Sequence, residues 1–398
     1  MNDREKTHLK WLLIWLFALS WCSMKLSLPV LPVLVDALHT SDSLIKLSVS
    51  VYFTCYAASQ IAWGALSEKY GRRPITLIAL TMAGAGALTS TFCSTLHGYF
   101  IGRALEGMGI GAISSIGRAI LADVFERKVM AKIMTIVSFF TGLMPALAPI
   151  AGGFILTGLG WRAVFAAFFI LLLPSLILTY FILPETFKNN HRDSSLFHVF
   201  LNYKSLIMNR HFWAIASSYA LAQGFLLGYY AAMPFWYVAQ FHINEQHYAF
   251  LALVSVGVYV TTLMVVRRLI DFISLEKLIR IALAIGVAAA GLLCIFAVAG
   301  IHGVLPIVIV MGLFAIVPGI TSPCVSAVLM KRFNSEAAMV SALAATFMFF
   351  MAAVFSYLES RLNVTHLGEL ATLMLITSVF AYWAQNKSAP IANNHYFI

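Results

Sequence analysis

Three charged side chains of this 398-residue chain stand where their surroundings are apolar. Lys25 interrupts WCSMKLSLPVLP, Trp21 to Pro32, with WLLIWLFALS upstream and VLPVLV downstream. Arg103 and Glu106 lie one helical turn apart in RALEGMGIGA. A buried ammonium can hold an anion or carry a proton. A carboxyl beside a guanidinium can take up and release a proton, because burial and the neighbouring cation act on its charge in opposite senses.

Lys25 follows Trp11 by 14 residues, about 21 Å at 1.5 Å per residue. Its stem does not easily reach an aqueous face from there. A central charge costs at least about 2.5–3.5 kcal/mol on insertion scales, so contact with substrate or proton is expected, with silent pairing to a carbonyl as the alternative. Ser20, Ser23 and Ser27 form a second polar stripe on the opposite side of the helix. The sequence leaves open which stripe lines a cavity.

The elements that must position these groups follow from composition. The chain is 61% hydrophobic and 11% charged, against about 25% charged in soluble proteins. Long apolar runs recur throughout, which points to a polytopic all-α membrane protein. The net charge of +10 sits in short clusters between apolar runs, a distribution that argues against nucleic acid as partner. The five cysteines lie in apolar stretches and suggest no disulfide framework. No metal-ligand pattern and no phosphate-binding G-x-x-x-x-G-K-[ST] loop is present. The first apolar run lacks a cleavage site and is expected to be an uncleaved span.

Twelve transmembrane helices are expected, near 11–35, 44–66, 75–95, 99–122, 130–157, 162–183, 212–240, 247–266, 277–299, 303–329, 336–358 and 365–386. The longest connection divides them into two six-helix halves: residues 1–183, a cytoplasmic linker 184–211, and 212–398 with a short tail. SSLFHVFLNYKSLI in the linker suits a helix on the membrane surface. Basic residues concentrate in 67–74, 127–132, the linker and 267–280, whereas the opposite loops hold only Lys46, Arg162 and Arg361. Both termini are therefore expected in the cytoplasm.

Arg103, Gly107, Gly111, Ser114 and Arg118 share one helical face, suited to close packing or a wet groove. Pro145, Pro149, Gly152 and Gly153 predict a kinked, tightly packed fifth span. Tyr230 and Trp236 in the seventh span are candidates to stack on a ligand. His97, His242, His247, His302 and His366 sit near loops and are expected to be bystanders.

GALSEKYGRRP, Gly64 to Pro74, is a tight turn between the second and third spans. It resembles the loop signature of the major facilitator superfamily, with Glu68 in place of Asp. RALEGMGIGA and PALAPIAGG resemble that superfamily's Arg-x-x-x-Gly and antiporter motifs. With LPVLP, GRAILADVF, GWRAVF, LPETF and MPFWYVAQF, the chain resembles the bicyclomycin-resistance (Bcr/CflA) branch of drug:proton antiporters. The resemblance implies two six-helix halves around a central cavity that opens alternately to either side. It implies gating by Gly64, Glu68, Gly71, Arg72, Arg73, Arg118 and Asp123, through ion pairs that close the inner face. It also implies an antiporter role for Pro145, Pro149, Gly152 and Gly153. Lys25 stands where the branch usually has an acid, and Glu106 where it often has Gln.

The expected function is proton-coupled efflux of small organic molecules from the bacterial inner membrane, as a monomer with no cofactor beyond the proton gradient. Lys25, Arg103, Tyr230 and Trp236 would contact substrate, and Glu106 would carry the proton, with Lys25 as alternative carrier. The second reading is transport of a specific anionic metabolite, such as a carboxylate or siderophore, in either direction. An enzyme is not expected, because no nucleophile–base pair appears.

Overall fold

A computed structural model of the chain describes residues 1–187, 206–241, 243, 245–301, 303–333, 337–362 and 367–386. Every regular element among them is helical. The helices are α1 (Asp3–Leu26), α2 (Leu31–Ala37), α3 (Asp42–Tyr70), α4 (Arg72–Phe92), α5 (Leu96–Val124), α6 (Arg127–Leu159) and α7 (Trp161–Ile182). After the central stretch come α8 (Arg210–Pro234), α9 (Glu245–Leu269), α10 (Leu275–Val298), α11 (Val304–Phe314), α12 (Ile316–Arg332), α13 (Ala337–Arg361) and α14 (Leu367–Asn386). The pairs α1–α2 and α11–α12 each form one broken segment, so six membrane-length segments precede the central stretch and six follow it.

Local chemistry sets the boundaries. Asn2 and Glu5 cap the start of α1 reciprocally, at 2.8 and 3.0 Å. Thr95 and Asn209 accept backbone N–H groups at the starts of α5 and α8. Gly71 and Gly160 turn the chain with φ of 100° and 82°, a region open to glycine at little cost. Pro29 lies in a 3₁₀ turn, Leu28–Val30, that breaks the first segment. Past Pro234 the chain winds into a π-helical turn, Phe235–Gln240.

Successive segments run in opposite directions. One face of the bundle therefore carries the start of α1 and the Gly71 turn, and is called here the amino-terminal face. The other carries the turn at His39. Within the first six segments α5 packs on α3 and α4, and α1 on α6; within the last six α8 packs on α13 and α10 on α14. The seam between the sets runs along α3–α13 and α6–α9. Outward positions such as Ile78, Ile101, Ile170, Ile295 and Phe380 are more than half exposed, as a lipid-facing belt requires.

Two sequence expectations change. Lys46, assigned to a loop, is 3% exposed inside α3, because that helix begins four residues earlier. Most of the expected surface helix, 194–205, lies outside the described residues, as do the side chains of His242, His247, His302 and His366.

Candidate functional site

A cavity of about 250 Å³ occupies the seam on the amino-terminal side. Phe17 and Trp21 of α1, Ser114 and Arg118 of α5, Tyr219 of α8 and Phe349 of α13 line it. It runs from Trp21 and Phe349 at mid-bundle to Met330 and Val340, within one turn of that face. On the His39 side the seam is packed: Lys46, Tyr229, Phe235, Trp236, Tyr237 and Glu359 are each at most 3% exposed. The conformer is thus hollow toward one face and closed toward the other.

Beyond the cavity lies a pocket of about 20 Å³ that Lys25 borders. Trp21 and Phe349 line both spaces and form the partition between them, with ring centroids 6.2 Å apart. Phe349 also packs against Tyr56, with ring centroids 4.1 Å apart and the planes tilted by 40°. Lys25 is 1% exposed, and its Nζ has no hydrogen-bond partner among the described residues. Two features accommodate it. It ends α1, where the carbonyl end of the helix favours a cation. Its Nζ also lies 3.9 Å from the Tyr230 ring centroid of α8, a contact worth about 2 kcal/mol when desolvated.

The two stripes of α1 take separate tasks. Lys25 faces α8 across the seam, whereas Ser20 and Ser23 face inward to α3 and α5. Ser20 meets the Tyr56 hydroxyl at 3.2 Å, and Ser23 meets that of Tyr52 at 3.0 Å. Ser23 donates to Glu106 at 2.5 Å, and Arg103 pairs with the other carboxyl oxygen at 2.7 Å. The Arg103 guanidinium lies 4.4 Å from the Tyr52 centroid. Arg103 and Glu106 are each 1% exposed. The charge of one offsets that of the other, and removing either partner costs about 3–5 kcal/mol.

The shared face of α5 settles into close packing. A Cβ at Gly107 would overlap the Tyr52 carbonyl oxygen of α3, and one at Gly111 would overlap Ser59. Gly152 of α6 is held to glycine by the Leu26 carbonyl at the break of the first segment. Pro149 and Gly153 are buried beside it, and Pro145 is partly buried. A Cβ at Gly64 would meet open space, so packing does not require glycine there.

Several expected positions differ. Lys25, Arg103, Tyr230 and Trp236 do not line the larger cavity, since each is sealed behind the aromatic partition or within a helix interface. Trp236 packs in the π-helical turn at 2% exposure. Arg118, expected with the inner-face ion pairs, instead joins the cavity wall, donating to Ser114 at 3.0 Å and Gln60 at 3.4 Å.

The expected latch also takes another form. Arg72 pairs with Asp123 at 3.1 Å and donates to Ser67 at 2.7 Å. Glu185 accepts the backbone N–H groups of Arg72 and Arg73 at 2.9 and 3.3 Å, an acid on the start of α4. Arg73 donates to the Tyr180 carbonyl at 2.7 Å, and Glu68 is exposed at the end of α3. These partners belong to the first six segments, apart from Glu185, which follows α7 directly, so among the described residues the cluster braces one set of helices and does not bridge the seam.

Sequence reasoning missed Trp21, Tyr219 and Phe349 as cavity walls, because an aromatic at helical spacing carries no mark of which face is hollow. Glu185 stands in LPETF just past the sixth span, and Glu359 is a lone acid in the apolar FSYLES; both are legible as charges whose partners the sequence does not show.

The comparisons agree with this architecture. An uncharacterized transporter of Rickettsia bellii (strain RML369-C) is 26% identical over 246 residues, 61% of this chain and 60% of that protein. A bicyclomycin resistance protein homolog of Haemophilus influenzae (strain ATCC 51907 / DSM 11121 / KW20 / Rd) is 24% identical over 230 residues, 58% of each. The chain spans about three-fifths of the length of these curated relatives. A partially occluded inward-open structure of the xylose transporter XylE from E. coli superposes with a TM-score of 0.76 at 13% identity, covering 98% of this chain and 99% of that one. With the helix count, the turn at Gly71 and a match to the family description over residues 13–356, the chain belongs to the Major Facilitator Superfamily.

Proposed function

We propose that the protein exports a small organic molecule against proton influx, by alternating access of the seam cavity. The carrying observation is the make-up of the cavity wall. It presents one guanidinium (Arg118), the hydroxyls of Ser114, Ser138, Thr141, Tyr219 and Ser341, and the rings of Phe17, Trp21 and Phe349. No carboxylate is among its described lining residues. Such a wall suits a neutral or anionic molecule with an apolar body. The export reading is supported by the name of the Haemophilus relative and by the antiporter-like segment around Gly152.

Glu106 is the proposed proton carrier. It is the acid of the first six segments that reaches both a cation, Arg103, and the segment bearing Lys25, through Ser23. Release of its proton-binding oxygens requires the Arg103 pair to open, which ties protonation to helix movement. Arg118 and Lys25 together favour the second reading, a dedicated transporter of an anionic metabolite such as a carboxylate or siderophore, in either direction. The proposed setting is a bacterial inner membrane, as a monomer with both termini in the cytoplasm.

Purified protein screened by thermal shift against neutral drugs, lipophilic cations and polycarboxylates tests the substrate class, since a binder stabilises the folded state. Hits are then followed in proteoliposomes with an imposed pH gradient. Transport that ignores the gradient removes proton coupling, and stabilisation by cations alone removes the substrate class.

A further inference from the structure

The packed His39 side of the seam holds two charged side chains that the cavity does not use. Lys46 of α3 and Glu359 of α13 are 3% and 2% exposed. They come from opposite sets of six, and α3 packs along α13. Neither carboxyl oxygen of Glu359 has a hydrogen-bond partner among the described residues. Nearby hydroxyls do not supply one: Tyr229 of α8 and Tyr237 of the π-helical turn bond to each other at 3.0 Å. The Lys46 ammonium lies 4.8 Å from the Phe235 ring centroid. The charged groups facing this cluster are Lys46 itself, which acts on Glu359, and Asp42, one turn before Lys46.

An ionised carboxylate hidden from water with no donor is a costly species, whereas the neutral acid is tolerated. Opening the His39 face must separate α3 from α13 and wet both side chains. We propose that Glu359 is a second proton-binding site of the transport cycle, protonated while the His39 face is closed and ionised when it opens. The acid gives its proton to water on the opened side, leaving a carboxylate that faces Lys46; no other reactant is needed. Closure of that face then takes up one proton. The site is distinct from Glu106, which belongs to the other set of helices and is engaged by Arg103 and Ser23.

The test reads the His39 face directly. Nitroxide labels at Ala37 and Ala299, both exposed on that face, report its opening in the full chain with the native cysteines replaced. One linked proton makes the open-to-closed ratio rise with pH by up to about tenfold per unit. Wild type should show a rise of this sense between about pH 5 and 8, Glu359→Asp should keep it, and Glu359→Gln should be shallower by up to about tenfold per unit. In Glu106→Gln the slope that remains belongs to Glu359 and should vanish when Glu359→Gln is added, which separates this proposal from the coupling role of Glu106. An equal slope in Glu359→Gln, or a flat wild type, overturns the proposal. So does an open fraction that falls with rising pH, because an ionised Lys46–Glu359 pair would then be doing the closing.

Discussion

The ammonium of Lys25 lies 3.9 Å from the centre of the Tyr230 ring, so a side chain of the first segment is seated on the seventh across the seam. Lys25 neighbours the cavity only through the Trp21–Phe349 partition, while Arg118 stands in its wall. A cation at about 4 Å from either would meet a repulsion of about 4 kcal/mol at an effective dielectric of 20. About 1.4 kcal/mol changes binding tenfold. Organic anions should therefore outcompete matched lipophilic monocations in a binding assay. Arg118→Met should lose at least tenfold in anion affinity. Lys25→Met should lose less unless the partition opens on binding, and Lys25→Asp should shift the preference toward cations. Equal binding of both classes by all four proteins would sink the charge argument.

Arg103 and Glu106 give a second prediction. Arg103→Met leaves a buried carboxylate alone, and Glu106→Met leaves a buried guanidinium alone, so each should lose about 3–5 kcal/mol of stability. The double variant should be more stable than either single one, read as denaturation midpoints in detergent. Glu106→Gln keeps an acceptor for Arg103 and should fold. In proteoliposomes it should lose uphill transport while substrate exchange persists. Full pH-driven accumulation by this variant would remove Glu106 as the obligatory carrier.

How much of this was legible varies by physical cause. Segment count and the Gly71 turn were readable, because lipid imposes length and apolarity on every span and the turn needs φ of 100°. The depth of Lys25 was readable from the same constraint. The orientation of α1 was not: two polar stripes are equivalent until the neighbours are known, and the serines turned out to serve Tyr52, Tyr56 and Glu106. The cavity wall was also hidden, since hollowness depends on how two sets of helices dock. Arg118 looked like a face anchor from its place near a helix end, and docking put it against the void. Lys46 was misplaced because a lysine at the start of a span reads as an exposed end, whereas α3 begins a full turn earlier, at Asp42, and buries it.

Gly152 and Gly64 both belong to recognised motifs, yet the structure separates them. A Cβ at 152 would overlap the Leu26 carbonyl and lie 3.3 Å from Pro29, both backbone-fixed neighbours at the break of the first segment. Gly152→Ala should cost about 1–3 kcal/mol and slow transport by stiffening or displacing that break. At 64 the space is open, and exchanging a helical glycine for alanine gains about 1 kcal/mol. Gly64→Ala should thus be neutral or stabilising in a thermal melt. A larger loss at 64 than at 152 would show that the close approach of α6 to Leu26 is not what holds Gly152.

The Arg72–Asp123 pair is formed in a conformer whose cavity lies on the same side of the bundle. A bond that closed the face by joining the two sets should be broken there. Ser67, Arg72 and Asp123 belong to the first six segments and Glu185 follows α7 directly, so the cluster fixes the ends of α3, α4 and α5 relative to one another. Asp123 is 25% exposed in its side chain, and a pair that accessible is worth about 1 kcal/mol or less. Asp123→Asn should therefore raise hydrogen exchange in residues 71–76 and 121–126 by no more than about fivefold, since 1.4 kcal/mol would give tenfold. Glu185→Gln should act on the same peptides through the start of α4. Turnover should fall more than substrate affinity, because the first six segments must move as one body for the seam to rock. Labels placed across the seam on the amino-terminal face should report an unchanged mean distance in Asp123→Asn. A distance that grows in this variant, with exchange at 71–76 unaltered, would instead make the pair a latch between the two sets.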